Sequence, residues 1–360
     1  MENVFHLIAN IDIGGSERIA ANIVKAPNSR YHFHMIEVAR RDSAFTDDFV
    51  KELEEYGILC HRSFVVSNKL AIILFPIRML KLLLVYKPRI IHSHTETPNL
   101  ALWISYLLWW PLMRNIKVYR TIHSTQLWNG WKWIGNIIEP YFFIKKNANI
   151  SIGESTQQSY FQCYGVKPDI IYNGIEEIKQ SRFEKIEHGK INILFAGRMQ
   201  PEKGIDTLVK VIDRFKGDDN LFFHIVGEGP EESKVKSQLE GFANVRIYPK
   251  IYMLSRYLAS FDYIFMPSEF EGLATLSIEA SFSRTPVIIN ACLGLEETLP
   301  IDWKYKVCNN DIEAYVAIFE GLLKDEDRNY WGEIAYNYVK ERFTIEKMQE
   351  AYLTKYNSCL

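Results

Sequence analysis

Ile191-Asn-Ile-Leu-Phe-Ala196-Gly197-Arg198-Met-Gln-Pro-Glu-Lys203-Gly204-Ile205-Asp-Thr-Leu-Val-Lys-Val-Ile-Asp-Arg-Phe215 divides into three pieces. Five apolar residues and Asn192 make a buried strand. A loop carrying two glycines and two cations follows. From 205 onward the apolar positions recur at helical spacing. Strand, loop and helix in that order form half of a βαβ unit.

The same unit repeats outward from there. Residues 221–226 read as a strand and 231–239 as helical. A strand at 245–248 leads to a short helix ending near 260, and a strand at 262–266 leads to a helix over 273–283. Residues 286–290 read as one more strand, and from 311 the chain is helical to its end. The first half alternates likewise, with strands at 4–9, 32–38, 90–93 and 117–122. Helical stretches lie at 17–24, 44–56 and 70–85. The expected fold is α/β, with two Rossmann-like doubly wound domains facing each other across a cleft. In such sheets ligands sit at the carboxyl ends of the strands.

The 360 residues exceed one ordinary core, and 48% hydrophobic with 24% charged residues is a globular composition. Tyr172-Asn173-Gly174 ends a short apolar strand with a turn, and the polar stretch 176–190 reads as a linker. The domains are therefore placed at 1–173 and 174–343, with a final helix at about 344–360 that returns to the first. Residues 1–173 hold 19 Lys and Arg against 14 Asp and Glu, a net of +5; residues 174–360 hold 23 against 30, a net of −7. The basic half suits an acidic substrate or an anionic membrane surface. Basic residues form no stripe, which excludes a nucleic-acid partner. Five scattered cysteines without a CxxC pair argue against zinc and disulfides and for a reducing compartment. Neither 70–86 nor 100–113 is long and apolar enough for a span, and the start lacks the features of a signal peptide. The expected location is the cytoplasm, peripherally on the inner face of the cell membrane.

Four segments carry the chemistry. Pro267-Ser-Glu-Phe-Glu271-Gly272-Leu273-Ala274-Thr275-Leu-Ser-Ile-Glu279-Ala280 sets a strand end, an acidic loop and a helix start in series. Unpaired amides there suit a diphosphate or sugar hydroxyls. Glu271 and Glu279, eight apart, are expected along one side of the element, where carboxylates accept from vicinal hydroxyls. Arg198 and Lys203 share one loop beside Gly197, suited to neutralising a pyrophosphate. Ile13-Gly14-Gly15-Ser16 opens a helix after the first strand and could turn amides toward an anion. His92 and His94 end one strand, in Ile-His-Ser-His. His123 ends another, in Thr-Ile-His-Ser. Both ends lie where the cleft is expected.

Those motifs, with Tyr172-Asn-Gly-Ile175 and Ile225-Val-Gly-Glu-Gly-Pro-Glu231, resemble the retaining family 4 glycosyltransferases of GT-B fold in order and spacing over essentially the whole chain. The chain is similar to the bacterial branch that builds capsular, exopolysaccharide or O-antigen units. The resemblance implies transfer of a hexose or N-acetylhexosamine from a nucleotide sugar, taken as a UDP-sugar, to a glycan or lipid-linked acceptor. Arg198, Lys203 and the Gly15 amide would hold the diphosphate. Glu271 and His123 would contact the donor sugar, and Glu279 the ribose. Gly197, Gly272 and the amides of Leu273, Ala274 and Thr275 would complete the donor site, with the base near Gly227, Lys250 and Ile251. Gly14, Ser16 and His94 would shape the acceptor side. His123, Glu271, Arg198 and Lys203 are the expected catalytic set. No cofactor and no metal are implied, and Asp325-Glu-Asp327 is read as part of a charged helical run. Two alternatives share the fold: a silent nucleotide-sugar-binding subunit and a sugar-nucleotide 2-epimerase. Arg284 stands where many relatives have Gly. Six tryptophans (Trp103, Trp109, Trp110, Trp128, Trp131, Trp133) with Lys132, Lys145 and Lys146 suggest a belt at a membrane interface.

Overall fold

A computed structural model describes residues 1–11, 15–43 and 46–358. Two compact units divide the chain: Met1–Gly174 together with Ile345–Leu360, and Ile175–Thr344.

The first unit runs β1 (Glu2–Ile8), α1 (Gly15–Val24), β2 (Tyr31–Glu37), α2 (Thr46–Glu55), β3 (Leu59–His61), α3 (Asn68–Tyr86), β4 (Ile90–His94), α4 (Glu96–Leu108), α5 (Trp110–Met113), β5 (Lys117–Ile122), α6 (Lys132–Ile138), β6 (Asn149–Ser151), α7 (Glu154–Tyr164) and β7 (Asp169–Ile170). Its sheet order is β3-β2-β1-β4-β5-β6-β7. Every pairing is parallel. The strand order reverses direction between β1 and β4, the switch point of a doubly wound sheet.

The second unit runs β8 (Ile191–Ala196), α8 (Ile205–Arg214), β9 (Leu221–Val226), α9 (Glu232–Gln238), β10 (Val245–Tyr248), β11 (Tyr263–Met266), α10 (Thr275–Phe282), β12 (Val287–Asn290), β13 (Lys306–Val307), α11 (Ile312–Gly321) and α12 (Arg328–Lys340). Its order, β10-β9-β8-β11-β12-β13, is again all parallel, with the switch between β8 and β11. The central strands are buried on both faces, so they read as continuous apolar runs rather than alternating ones.

The last helix, α13 (Ile345–Asn357), packs Met348, Tyr352 and Tyr356 into the core formed by β1, β2 and α1. Gln349 donates to the carbonyl of Asn22 at 2.7 Å, and Tyr119 donates to the carbonyl of Lys355 at 2.7 Å. The stretch 176–190 has no helix or strand, but it is not a free linker. Ser181 donates its amide to the Arg256 carbonyl at 2.7 Å, and Phe183 is buried in the second core, so the polar chain is pinned along that unit.

Four of the six tryptophans expected at a membrane interface pack into or against the core. Trp128 is buried and donates to Glu139 at 2.6 Å. Glu139 also takes Tyr160 at 2.7 Å and pairs with the buried Arg120, so its charge is offset on three sides. Trp103, Trp109 and Trp131 are partly buried against the same core, and of the six tryptophans only Trp110 and Trp133 are exposed.

Burial also decides the ionisation of most histidines. Desolvation lowers His6 and His34 to about 3, His61, His123 and His224 to about 4, and His92 and His94 well below the usual range. The unfolded chain takes up these protons near pH 6.5, whereas the folded chain cannot until pH is far lower. Stability therefore falls as pH drops below about 6.5, by up to ~1.4 kcal/mol per pH unit for each fully buried histidine. Urea midpoints should be flat from pH 8 to 7 and decline steeply between 6.5 and 5; a midpoint unchanged down to 5 would contradict this.

Candidate active site

At the β8/β11 switch point the two loops that leave the strand ends are held together by their backbones. Gly204 has φ 69°, and a Cβ there would sit 1.9 Å from the Pro267 carbonyl oxygen. Gly227 has φ 150°, and its Cβ would meet the Gly197 oxygen at 1.9 Å. Gly294 has φ 81°, and its Cβ would meet the Glu271 oxygen at 2.1 Å. The loops after β8, β9, β11 and β12 therefore approach at distances only glycine permits.

This closure brings Lys203 and Glu271 together. The Lys203 Nζ lies 2.6 Å from Glu271 Oε1, and Ser268 donates to the same oxygen at 2.8 Å. With side-chain exposures of 28% and 11%, the pair is shielded yet reachable. Arg198 on the same loop is exposed; it donates to the Gln200 side chain at 3.4 Å and has no carboxylate partner among the described residues. Cationic character is thus held at a strand end with one group committed and one available.

Ala274 caps α10 without a side-chain acceptor, so the first amides of that helix, from Thr275, keep their donor capacity. Leu273 and Ala274 are buried, and Ala274 donates its amide to Gly294 at 2.7 Å. Gly272 is partly exposed in the same loop. Glu271 and Glu279 do not share a helical side as expected. Glu271 lies in the loop four residues ahead of α10, whereas Glu279 sits in the second turn, partly buried. Desolvation raises the Glu279 carboxyl to about 7. Lys250 and Ile251 follow β10, one strand beyond Gly227, and the Lys250 amide donates to Glu228 at 3.3 Å.

In the first unit, Gly15 begins α1 and Ser16 donates to Glu17 at 2.8 Å; Gly14 lies outside the described residues. His94 and His123 come together, with Nδ1 and Nε2 3.1 Å apart. Beside them Thr95, a β-branched residue, has φ 67° and ψ 171° with its Oγ1 buried and unpaired, a backbone strain that concentrates at functional turns. An open depression of about 380 Å³ lies nearby, lined by Glu96, Thr97, Ser124, Gln126, Asn129 and Trp131 among others.

Sequence reasoning missed His6, Thr121, Tyr352 and Tyr356, which contact the histidines. The i,i+4 tyrosine pair on the last helix was the available signal. Nitrogens of His6, His92 and His94 lie within 4.8 Å of one another. Both His92 nitrogens, however, already meet hydroxyls, Tyr356 at 2.6 Å and Thr121 at 2.8 Å.

Asp325 and Asp327 lie in the turn ahead of α12 rather than in a helical run. Tyr263 at 2.8 Å and Lys304 at 2.7 Å occupy Asp325. Arg284 adopts φ 57° at the end of α10, pairs with Glu333 at 2.5 Å and lies 3.7 Å over the Tyr336 ring. A left-handed position after a helix explains why glycine suits that place.

One further surface stands out. Leu70, Ile73, Leu74, Ile77, Leu84 and Val85 are exposed along α3, preceded by exposed Phe64 and Val66. Lys69, Lys81 and Lys87 are exposed on the same stretch, and residues 56–95 contain no Asp or Glu. No helix among the described residues is long and apolar enough to cross a membrane.

Two doubly wound parallel sheets with a cationic loop and a helix start at the second switch point define a GT-B architecture. A model of the group 1 glycosyl transferases matches residues 176–338, and one of glycosyltransferase family 4 matches 13–177. The chain belongs to this family of glycosyltransferases. It is 23% identical to the capsular polysaccharide biosynthesis glycosyltransferase CapH of Staphylococcus aureus, over 99% of both chains. A 41.2 kDa protein of the Klebsiella pneumoniae cps region is 26% identical over 53% of this chain; the chain spans about half of that relative, 55%. In fold it is similar to a Rickettsia africae glycosyltransferase (TM-score 0.78, 17% identity, 99% and 98% covered). It is also similar to Anabaena Alr3699/HepE in complex with UDP-glucose (TM-score 0.78, 15%, 99% and 100%).

The glycine closures give a stability test. Gly217 also has positive φ, 76°, but faces open space. Gly217→Ala should cost about 1–2 kcal/mol in urea unfolding and Gly204→Ala about 3 kcal/mol or more. Equal costs would show that the Pro267 contact does not constrain the loop.

Proposed function

We propose that this chain is a retaining transferase that moves a hexose or N-acetylhexosamine from a UDP-sugar to a glycan or lipid-linked acceptor in bacterial surface polysaccharide assembly. The observation that carries this reading is the Lys203–Glu271 pair, 2.6 Å long, at a switch point beside the uncommitted Arg198. A diphosphate arriving there meets two cations and the helix start at Thr275. As its oxygens take Lys203, the Glu271 carboxylate becomes available to sugar hydroxyls. Glu279 would accept from the ribose, and the base would rest near Gly227 and Lys250. Retention would proceed with the departing phosphate accepting the acceptor's proton, so the protein contributes positioning and charge stabilisation. Arg198, Lys203 and helix amides supply that charge without a metal. The UDP-glucose of the Anabaena protein and the capsule role in the name of CapH support donor and pathway.

A thermal-shift panel of UDP-, GDP- and ADP-sugars, each with and without EDTA, should single out a UDP-sugar whose stabilisation survives chelation. Lys203→Ala and Arg198→Ala should each lower turnover about a hundredfold. Near-normal rates in both variants would contradict the assigned roles, and epimer formed from donor alone would favour the epimerase.

We also infer that the enzyme works in the cytoplasm on the inner membrane face, seated on α3 rather than on a tryptophan belt. An acid-free helix with apolar side chains outward and lysines among them is suited to anionic headgroups and the acyl boundary beneath them. In vesicle flotation the protein should bind phosphatidylglycerol-containing vesicles and not neutral ones. Ile73→Glu with Ile77→Glu should weaken that binding at least tenfold and leave the donor thermal shift intact. Wild-type protein that stays with the soluble fraction would remove the proposal.

A further inference from the structure

Beneath the carboxyl edge of the first sheet lies a single file of side chains that the transfer reaction does not explain. His123 Nε2 lies 3.1 Å from His94 Nδ1, and His94 Nε2 lies 3.2 Å from His6 Nδ1. His6 Nε2 is 3.2 Å from the Tyr356 hydroxyl, which is 2.6 Å from His92 Nδ1. His92 Nε2 is 2.8 Å from Thr121 Oγ1, and that oxygen is 2.9 Å from the Tyr352 hydroxyl. All members but His123 are buried; His123 is partly exposed. The register explains the file. His6 pairs with His92 across β1 and β4, and His94 pairs with Thr121 across β4 and β5, so the side chains point to the face covered by α13.

Burial keeps all four imidazoles neutral. A neutral imidazole has one donor and one acceptor nitrogen, so each link fixes the next. The file can run inward or outward throughout, or both His6 and His92 can donate to the Tyr356 oxygen, which leaves the buried Tyr356 hydroxyl hydrogen without an acceptor among the described residues. If protons point inward from His123, His92 donates to Thr121, and either Thr121 or Tyr352 keeps a buried hydroxyl proton with no acceptor. Among the described residues Tyr352 meets only Thr121, and Thr121 meets only Tyr352 and His92. If protons point outward, Tyr352 donates to Thr121, Thr121 to His92, His92 to Tyr356, Tyr356 to His6, His6 to His94 and His94 to His123. Every buried hydrogen then has an acceptor, which is the general rule for buried donors.

We propose that Tyr352 and Tyr356 of the last helix, through this file, lock His123 as the Nδ1–H tautomer, so that it offers an N–H donor on its open side to an oxygen of the transferred sugar. The sugar rests on the transferase reading above; the tautomer does not. Tyr352, Tyr356, Thr121, His92, His6 and His94 are positioning residues, since they act through His123.

The test is a two-bond proton–nitrogen correlation spectrum of 15N-histidine-labelled full-length protein near neutral pH, without substrate. Signals of His123 are assigned by their loss in His123→Gln. The proton should sit on Nδ1 of His123, His94, His6 and His92 alike. In Tyr356→Phe the link is cut, and the Nδ1–H population of His123 should fall. A wild-type His123 protonated on Nε2 overturns the proposal, as does a spectrum that changes on chelation, which would make the cluster a metal site. If Tyr356→Phe does not fold, the wild-type spectrum still decides. For the donor role, an asparagine amide occupies the place of Nδ1 and a glutamine amide that of Nε2. His123→Asn should therefore keep at least tenfold more kcat than His123→Gln; equal or reversed losses overturn that role, whereas loss of the transferase reading would leave the spectrum unchanged.

Discussion

Backbone touching backbone at the strand ends of the second unit is the constraint on which its site depends. Gly204 against Pro267, Gly227 against Gly197 and Gly294 against Glu271 leave no room for a Cβ. Close-packed neighbours of this kind have two arrangements, right and wrong, with little between. A side chain at any of the three positions must move a carbonyl rather than a flexible tip. The Lys203–Glu271 distance follows from that closure, because the two residues, 68 positions apart, lie on loops joined beside them by the Glu269 amide on the Glu202 carbonyl at 2.9 Å.

The first unit solves a different problem. It places polar rings at the centre of a sheet, where a charged group would be costly. Neutral imidazoles in file satisfy one another, so the cost of burial is met by hydrogen bonds rather than by counter-ions. The contrast with Arg120 and Glu139 is instructive. That buried pair is surrounded by Trp128 and Tyr160, which donate to Glu139, and by the Phe143 ring under Arg120.

Much of this was legible in the chain. Runs such as 191–196 and 221–226 are strands because their apolar residues are continuous, and 205–214 is a helix because its apolar residues recur every three or four positions. Short edge strands such as Leu59–His61 and Lys306–Val307 carry too few residues to show a period. That Arg198, Lys203 and Glu271 lie in loops at strand ends was readable because glycine and charge mark such a loop. The pairing of Lys203 with Glu271 was not, since it is set by tertiary closure. The packing of four of the six tryptophans was hidden for the same reason. Whether Trp128 faces water depends on Glu139 and Arg120, and no local pattern reports that.

The histidine file shows where such reading runs out and what replaces it. Tyr356 lies 264 positions from His92 and 350 from His6, so no window of sequence joins them. Parallel register supplies the join: once β1, β4 and β5 are aligned, His6, His92, His94 and Thr121 must share a face, and any helix covering that face has to provide hydroxyls. The last helix does so with two tyrosines one turn apart. A C-terminal segment that looks like a mere strap in the linear chain thereby completes the hydrogen bonding beneath the first sheet while it shields that face.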